Sequence, residues 1–412
     1  MPAMDVTGPL KGIKVLDWTM WQFGPVSTAM MGDMGADVIK IESLDGDDGR
    51  GLRRSTNVRT RLAGDRNSYF ETNNRNKRGI AVNLKTAEGR EAIHRLVEKS
   101  DVFLQNFRKG VAERLGMGYD TLREINPMLI YGSASGYGPN GPDAYLPSFD
   151  GCGQARSGLM MAATPLDAEQ PGRVQYGVSD QMGAIMLCLG VVSGLVARNL
   201  QGIGQKVDTS HLSSNMWLQG LGIGMGLLSG GGRAAPYDRA RPVNPLSNMY
   251  KCKDGTWVQF MLIQPDRYWK PFAEALGLSE LVEDPRFATG ADMTENAAEL
   301  VEILDKKFAT KDYDDWDRTF REAGDFIYAK VQHIDELEQD TQVIANDYIT
   351  NFDHPVLGSI KVCNHPNQYS ETPAGIWREA PELGQHTEEI LIEELGYDWD
   401  EIGKLKDAGA IL

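Results

Sequence analysis

The sequence predicts an α/β fold of the doubly wound class, a parallel sheet covered by helices on both faces. Two observations carry the prediction. Short apolar runs of strand length alternate with segments of helical period along the first third of the chain, and strands buried on both faces read as such near-continuous apolar runs. The length, 412 residues with 41% hydrophobic and 24% charged side chains, gives two to three average domains of an ordinary globular protein and excludes disorder and collagen.

In chain order, residues 13–16 read as a strand, 27–35 as a helix and 38–41 as a second strand, which makes a βαβ unit. Strand 80–84, helix 88–99, strand 102–106, helix 112–125 and strand 128–133 continue the alternation. Ligands of such sheets lie beyond the carboxyl ends of the strands. Residues 136–147 are rich in Gly, Pro, Asn and Asp, which favours a loop, here one expected to border a pocket. The apolar stretch 182–197 contains Gly183, Gly190, Ser193 and Gly194 and is shorter than the roughly 20 residues of a membrane span, so it reads as a buried helix. Gly and Pro rise again over 220–245, then a hairpin-like segment at 251–258 and amphipathic helices follow, which sets a smaller domain at 226–334. From Glu382 the tail is acidic and helical.

Lys plus Arg total 42 against 58 Asp plus Glu, a net charge of -16. Such a chain has no overall field to attract nucleic acid or an anionic membrane, and an anionic ligand needs a local basic pocket. The four cysteines, Cys152, Cys188, Cys252 and Cys363, are far apart, which disfavours a disulfide framework and a structural zinc site. The amino terminus lacks the features of a secretory signal, so a reducing cytoplasm is the expected location.

Several catalytic machines lack their parts. There is no GxxxxGK[ST] phosphate loop, no GxSxG elbow and no HExxH metal motif. Gly220, Gly222, Gly224 and Gly226 fail the dinucleotide spacing, and the six histidines read as structural. The informative segment is Gly177-Val178-Ser179-Asp180, directly before the apolar helix expected at 181–198. A carboxylate in a helix's first turn is stabilised by the free N–H groups and the macrodipole. Asp180 is therefore either an ordinary helix cap or an ionised nucleophile, and the two roles are compatible.

With these segments assembled, a resemblance emerges. Pro9-Leu10-Lys11-Gly12-Ile13-Lys14-Val15-Leu16-Asp17, Gly24-Pro25, the run 35–42, Asn76-Lys77-Arg78-Gly79, Asn106-Phe107, Arg114-Leu115-Gly116, Gly202-Ile203-Gly204-Gln205 and Leu383-Gly384-Gln385-His386-Thr387 occur in this order. The chain resembles the family III CoA-transferases, the group of formyl-CoA transferase and the carnitine and bile-acid CoA-transferases, over nearly its whole length. The resemblance implies that Asp180 attacks a donor thioester to give a mixed aspartyl anhydride, then an aspartyl-CoA thioester that an acceptor acid discharges. It implies Gln22 near the reacting carbonyl, and Lys77, Arg78, Asn106 and Arg114 as contacts for CoA. No metal or organic cofactor is implied; the CoA thioester is a substrate. The implied fold is a Rossmann-like large domain made from both chain ends, 1–225 with 335–412, and a smaller α+β domain at 226–334, in an interlocked homodimer.

The sequence departs from the formate/oxalate branch. Gly230-Gly231-Gly232 is shorter than that branch's glycine loop, and Pro139 stands where the branch has an acidic residue. A larger acceptor, aryl-substituted or dicarboxylic, is expected, with Trp21, Phe23, Met30, Met31 and Phe149 as candidate apolar lining, although apolar residues at helical spacing are more often core. A rival activity is 2-methylacyl-CoA racemization, which needs an acid/base pair astride the α-carbon. Phe149 occupies the position of that enzyme's histidine, which disfavours it. A third reading is an inactive CoA-binding subunit of a hetero-oligomer, against which Asp180 argues.

Overall fold

The structure, a computed structural model, describes residues 6–55, 58–231 and 237–412. Six parallel strands form its central sheet: β1 (Lys14–Trp18), β2 (Asp37–Glu42), β3 (Lys77–Ala81), β4 (Val102–Gln105), β5 (Ile130–Ser135) and β6 (Gln205–Ser210), in the order β3-β2-β1-β4-β5-β6. The chain winds outward from β1 in one direction, returns, and winds outward in the other, which is the Rossmann strand order with its switch point between β1 and β4. Side chains alternate between the two faces, as the pleat requires. Leu16, Ile39, Phe103 and Tyr131 belong to one buried cluster, while Val15, Val38, Leu104 and Ile130 belong to the other.

The intervening helices are α1 (Phe23–Asp33), α2 (Ser68–Asn74), α3 (Ala87–Glu98), α4 (Val111–Arg114), α5 (Tyr119–Ile125), α6 (Asp150–Arg156), α7 (Val178–Gln201), α8 (His211–Leu218) and α9 (Gly220–Leu228). Ile93, Leu96 and Val97 of α3 close the first face, and Met31 of α1 with Leu187 and Val191 of α7 close the second. The helix expected at 112–125 is two helices, because Gly116 sits at φ 73° and breaks the run before α5 starts. Helix α1 starts at Phe23 rather than 27, since Pro25 lies in the first turn, where a missing N–H costs nothing. Strand β3 begins at Lys77 and not at 80; the two basic residues that obscured it are buried and paired.

Helix α7 is longer than the apolar stretch seen in the sequence, and only one face of it is buried. Ile185, Leu189, Val196 and Leu200 are exposed on the other. Among the described residues it is the one helix long and apolar enough to cross a membrane, with mean hydropathy 1.7.

The chain divides into two compact units: the described residues of Met1–Ala163, Pro171–Arg233 and Ile344–Leu412, and those of Thr164–Gln170 and Ala234–Val343. In the second, β7 (Met249–Lys251), β8 (Trp257–Phe260) and β9 (Tyr328–Lys330) form an antiparallel sheet in the order β9-β8-β7. Helices α10 (Pro265–Leu276), α11 (Ala297–Phe308) and α12 (Tyr313–Ala323) cover it. Its core is aromatic: the Phe272 and Phe320 rings stack at 5.8 Å, and Phe260 packs edge-on to both. In the first unit, the hairpin of β10 (Ile349–His354) and β11 (Gly358–Cys363) precedes α13 (Thr387–Leu395) and α14 (Trp399–Asp407), and Ile390 and Leu391 of α13 pack with α3.

Candidate active site

The carboxyl ends of β1, β4, β5 and β6 lead into the segments that build the site: 19–22, 106–109, 136–149 and His211. Asp180 joins them from the third position of α7. Gly177 starts this helix at φ 74°, and a Cβ there would lie 2.4 Å from the Gln22 side chain, so glycine is required both for the turn and for the approach of Gln22.

Asp180 does not cap its own helix. Asp150, on α6, accepts the Ser179 N–H at 2.7 Å and the Gln154 side-chain amide at 2.8 Å. Relieved of capping, the Asp180 carboxylate faces His211, whose Nε2 lies 2.8 Å from Oδ1. A carboxylate only accepts, so Nε2 carries the proton, and Nδ1 is left facing Ser148 Oγ at 3.2 Å. The imidazole is further fixed by the Phe23 ring, 4.8 Å away between centroids. The side chains of His211 and Asp180 are 6% and 16% exposed, enough for Asp180 to meet a ligand.

The loop after β1 is held from several sides. Asn106 pairs with both backbone groups of Met20, at 2.9 and 2.7 Å. Trp21 takes φ 67°, a left-handed conformation costing a bulky residue about 1–2 kcal/mol. Its N–H is fastened to Asp47 at 3.2 Å, and Lys40 anchors Asp47 at 3.0 Å. This fixes Gln22, whose amide nitrogen lies 3.5 Å from the Gly177 carbonyl and 3.4 Å from Gln181 Oε1.

Asp180 and His211 line a cavity of about 470 Å³. Trp21, Phe23, Phe107 and Phe149 give it apolar walls, and Arg108 and Lys109 line it as exposed cations. The Trp21 and Phe149 rings meet edge to face at 5.7 Å. A second cavity of about 390 Å³ shares Met20 and Phe107 with the first and extends past Trp18, Leu44, Asn83 and Lys85. Tyr69 stands in the field of the same carboxylates: burial first, then the charges of Asp180, Asp47 and Asp150, push its phenol up, so it stays a neutral donor.

The residues expected from the sequence separate into two groups. Gln22 reaches Gly177 and Gln181, which flank Asp180 in the chain, and Asn106 lines the main cavity with Asp180 while bracing its loop. Lys77 is not a phosphate contact: it is fully buried, and its ammonium is held by Asp17, Pro25, Asn73 and Asn74 within 3.1 Å. Arg78 lies near the amino end of β3, paired with Asp37 and Glu394 at 2.7 and 2.8 Å and flanked by Glu389 and Glu393, surroundings that repel an anion. Arg114 is exposed on α4 beside Leu115, which lines the second cavity. Met31 is fully buried between α1 and the sheet and Met30 packs against that core, so neither lines the cavity.

Sequence reasoning missed His211, Ser148, Tyr69, Arg108 and Lys109. The last two directly follow Asn106-Phe107 at the end of a strand, which is a usable signal. His211 stands 31 residues from Asp180 and meets it only because β6 returns to the sheet. Of the glycine run, Gly230 and Gly231 have positive φ, and Gly232 lies outside the described residues. All four cysteines are free thiols, and among the described residues no cluster suited to a metal ion occurs.

A Rossmann-like sheet whose carboxyl edge opens on a cavity lined by a carboxylate at the head of an apolar helix defines a doubly wound α/β protein with its candidate site where such folds bind ligands. The model of CoA-transferase family III matches residues 10–387, and the chain belongs to that family; it is a transferase. The (R)-2-hydroxy-4-methylpentanoate CoA-transferase of Clostridioides difficile is 30% identical over 403 residues, 98% of this chain and 99% of that protein. The cinnamoyl-CoA:phenyllactate CoA-transferase of Clostridium sporogenes is 30% identical over 97% of this chain and 96% of its own length. A crystal structure of a CAIB/BAIF family protein from Brucella suis superposes with a TM-score of 0.83 at 27% identity, covering 94% of this chain and all of that one.

Proposed function

We propose that Asp180 is the nucleophile that carries CoA from an acyl-CoA donor to a free carboxylic acid. The observation that carries this reading is that Asp150 caps α7 in its place, which leaves the Asp180 carboxylate lining a cavity with its partner His211. Asp180 attacks the donor thioester; the mixed anhydride then loses the donor acid to the returning thiolate, leaving an aspartyl-CoA thioester. The acceptor carboxylate repeats the sequence in reverse. The Gln22 amide donates to oxygen charge developing on the substrate carbonyl. No metal or organic cofactor is needed.

CoA enters along the two adjoining cavities, with its nucleotide end in the one lined by Trp18 and Asn83 and its thioester passing Met20 and Phe107. Arg108, Lys109 and Arg114 meet its phosphates, Arg in paired fashion and Lys as a point charge. The apolar walls favour a larger acceptor that carries an aryl or alkyl group, and relatives named for 2-hydroxy-4-methylpentanoate and phenyllactate fit that chemistry. The His211–Asp180 pair does not favour racemization, because an acid and base 2.8 Å apart leave no room for a carbon between them.

A second copy of the chain covers the exposed face of α7, continued by Met216, Trp217, Leu221, Met225 and Leu228 of α8 and α9. These two helices carry no charged residue, whereas a helix lying on a membrane presents Lys and Arg. The result is the interlocked homodimer, and the four free thiols suit a reducing cytoplasm. The test is exchange: purified protein, a panel of acyl-CoA donors and acids from formate to aryl-propionates, read by mass spectrometry for new thioesters. Exchange by the wild type and none by Asp180→Ala supports the reading; undiminished exchange by the variant overturns it.

A further inference from the structure

His211 touches the reacting group itself, and its role reaches past positioning. We infer that the His211 Nε2–H is the oxyanion donor for the aspartyl carbonyl, acting in the two steps in which the enzyme's own acyl carbon, and not the substrate's, is attacked. This rests on Asp180 as nucleophile.

The geometry assigns the two carboxylate oxygens different tasks. Oδ1 lies 2.8 Å from His211 Nε2, which leaves Oδ2 as the attacking atom. Once Oδ2 has bonded to the donor's acyl carbon and the CoA thiolate has left, Oδ1 is the carbonyl oxygen of the aspartyl half of the anhydride. The thiolate then adds to the aspartyl carbon. The electron pair of that carbonyl moves onto Oδ1, still within reach of the Nε2–H, and returns as the bond to Oδ2 breaks and the donor acid leaves with that oxygen. The acceptor carboxylate later adds to the same carbon of the aspartyl-CoA thioester, charge again appears on Oδ1, and CoA thiolate leaves. No proton is transferred in either step: an N–H aimed at Oδ1 throughout is what the chemistry calls for.

The surroundings hold the ring in that tautomer. Ser148 Oγ faces Nδ1 at 3.2 Å and, as a hydroxyl, donates to it when Nε2 bears the hydrogen. The Phe23 ring 4.8 Å away and the 4% exposure of His211 keep water from replacing it. Preorganised donors of this kind raise kcat by about 10²–10³.

The experiment compares wild type with His211→Leu and His211→Gln. Each is loaded with donor acyl-CoA alone, and the Asp180 peptide is read for bound CoA by mass spectrometry; acceptor acid is then added and loss of the adduct is timed by rapid quench. The expected result is an adduct in all three proteins, discharge on the order of 100-fold slower in His211→Leu, and substantial recovery in His211→Gln, whose amide restores an N–H. Equal discharge rates in the three proteins overturn this assignment alone. Absence of CoA from wild-type Asp180 overturns the nucleophile as well.

Discussion

Asp150 accepts the backbone N–H of Ser179 at 2.7 Å, so the cap of the helix that carries Asp180 comes from a neighbouring helix 29 residues earlier in the chain. The division of labour fixes the position of Asp180 without engaging its carboxylate. Asp150→Ala is expected to cost about 1 kcal/mol of stability, the usual value of a lost cap, and to lower kcat at least about ten-fold through misplacement of Asp180, an effect that a 1 Å shift suffices to produce. Denaturant titration and steady-state kinetics read the two effects separately.

Lys77 and Asp17, both fully buried, pair at 2.8 Å beneath the loop that carries Gln22. Removing one partner leaves an uncompensated buried charge, so Lys77→Met should cost about 3–5 kcal/mol. The folded fraction should keep the wild-type KM for acyl-CoA; a selective rise in KM without loss of stability would return Lys77 to the CoA site.

Acid stability follows from the same pair. Burial pushes the Asp17 carboxyl up, but the Lys77 and Lys40 ammonium groups and the hydrogen bonds from Lys77 and Thr19 outweigh it and hold Asp17 below the usual carboxylate range. Glu394 is also lowered: burial opposes, while hydrogen bonds from Lys14 and Arg78 prevail. A depressed carboxylate binds fewer protons folded than unfolded, so its contribution is complete above the unfolded value near 4 and is lost as pH falls through the folded value. Glu394→Gln should flatten the loss of melting temperature on acidification; an unchanged acid limb would contradict the assignment.

Arg108 and Lys109, exposed beside the cavity, are expected to act on CoA and not on fold. The double substitution to Gln should raise the KM for acyl-CoA about ten-fold and weaken its salt dependence, with melting temperature within a degree or so of wild type, as surface substitutions give.

Phe149 and Trp21 meet edge to face on the cavity wall. Phe149→Ala should raise KM for aryl acceptors by about ten-fold, the worth of a lost aromatic contact, while leaving KM for small acids unchanged. Parallel acceptor titrations check it.

The strand and helix alternation was legible in the sequence because both faces of the sheet are buried, which leaves short apolar runs, broken by few polar residues, at β1, β2, β4 and β5. Strand β3 was misplaced because Lys77 and Arg78 look solvent-seeking until their partners, the buried Asp17 and the half-exposed Asp37, are known. Asp180 stood out by its place at the start of an apolar helix, but position alone left cap and nucleophile both open, and only the family resemblance pointed to the second. His211 was not legible, since its meeting with Asp180 depends on the return of β6, and no local pattern encodes a contact of that range. The exposed face of α7 was hidden for the opposite reason: apolar residues around a whole helix look like core whether the second face meets the same chain or another.

The most direct test of the covalent role of Asp180 follows oxygen. Wild-type enzyme turns over an acyl-CoA with an acceptor acid whose carboxylate carries heavy oxygen, and the digested Asp180 peptide is analysed by mass spectrometry. The account predicts heavy oxygen in the Asp180 side chain and, in the first turnover, a released donor acid without label. Unlabelled Asp180 together with labelled donor acid from the first turnover would show that acid attacks thioester directly and would contradict it.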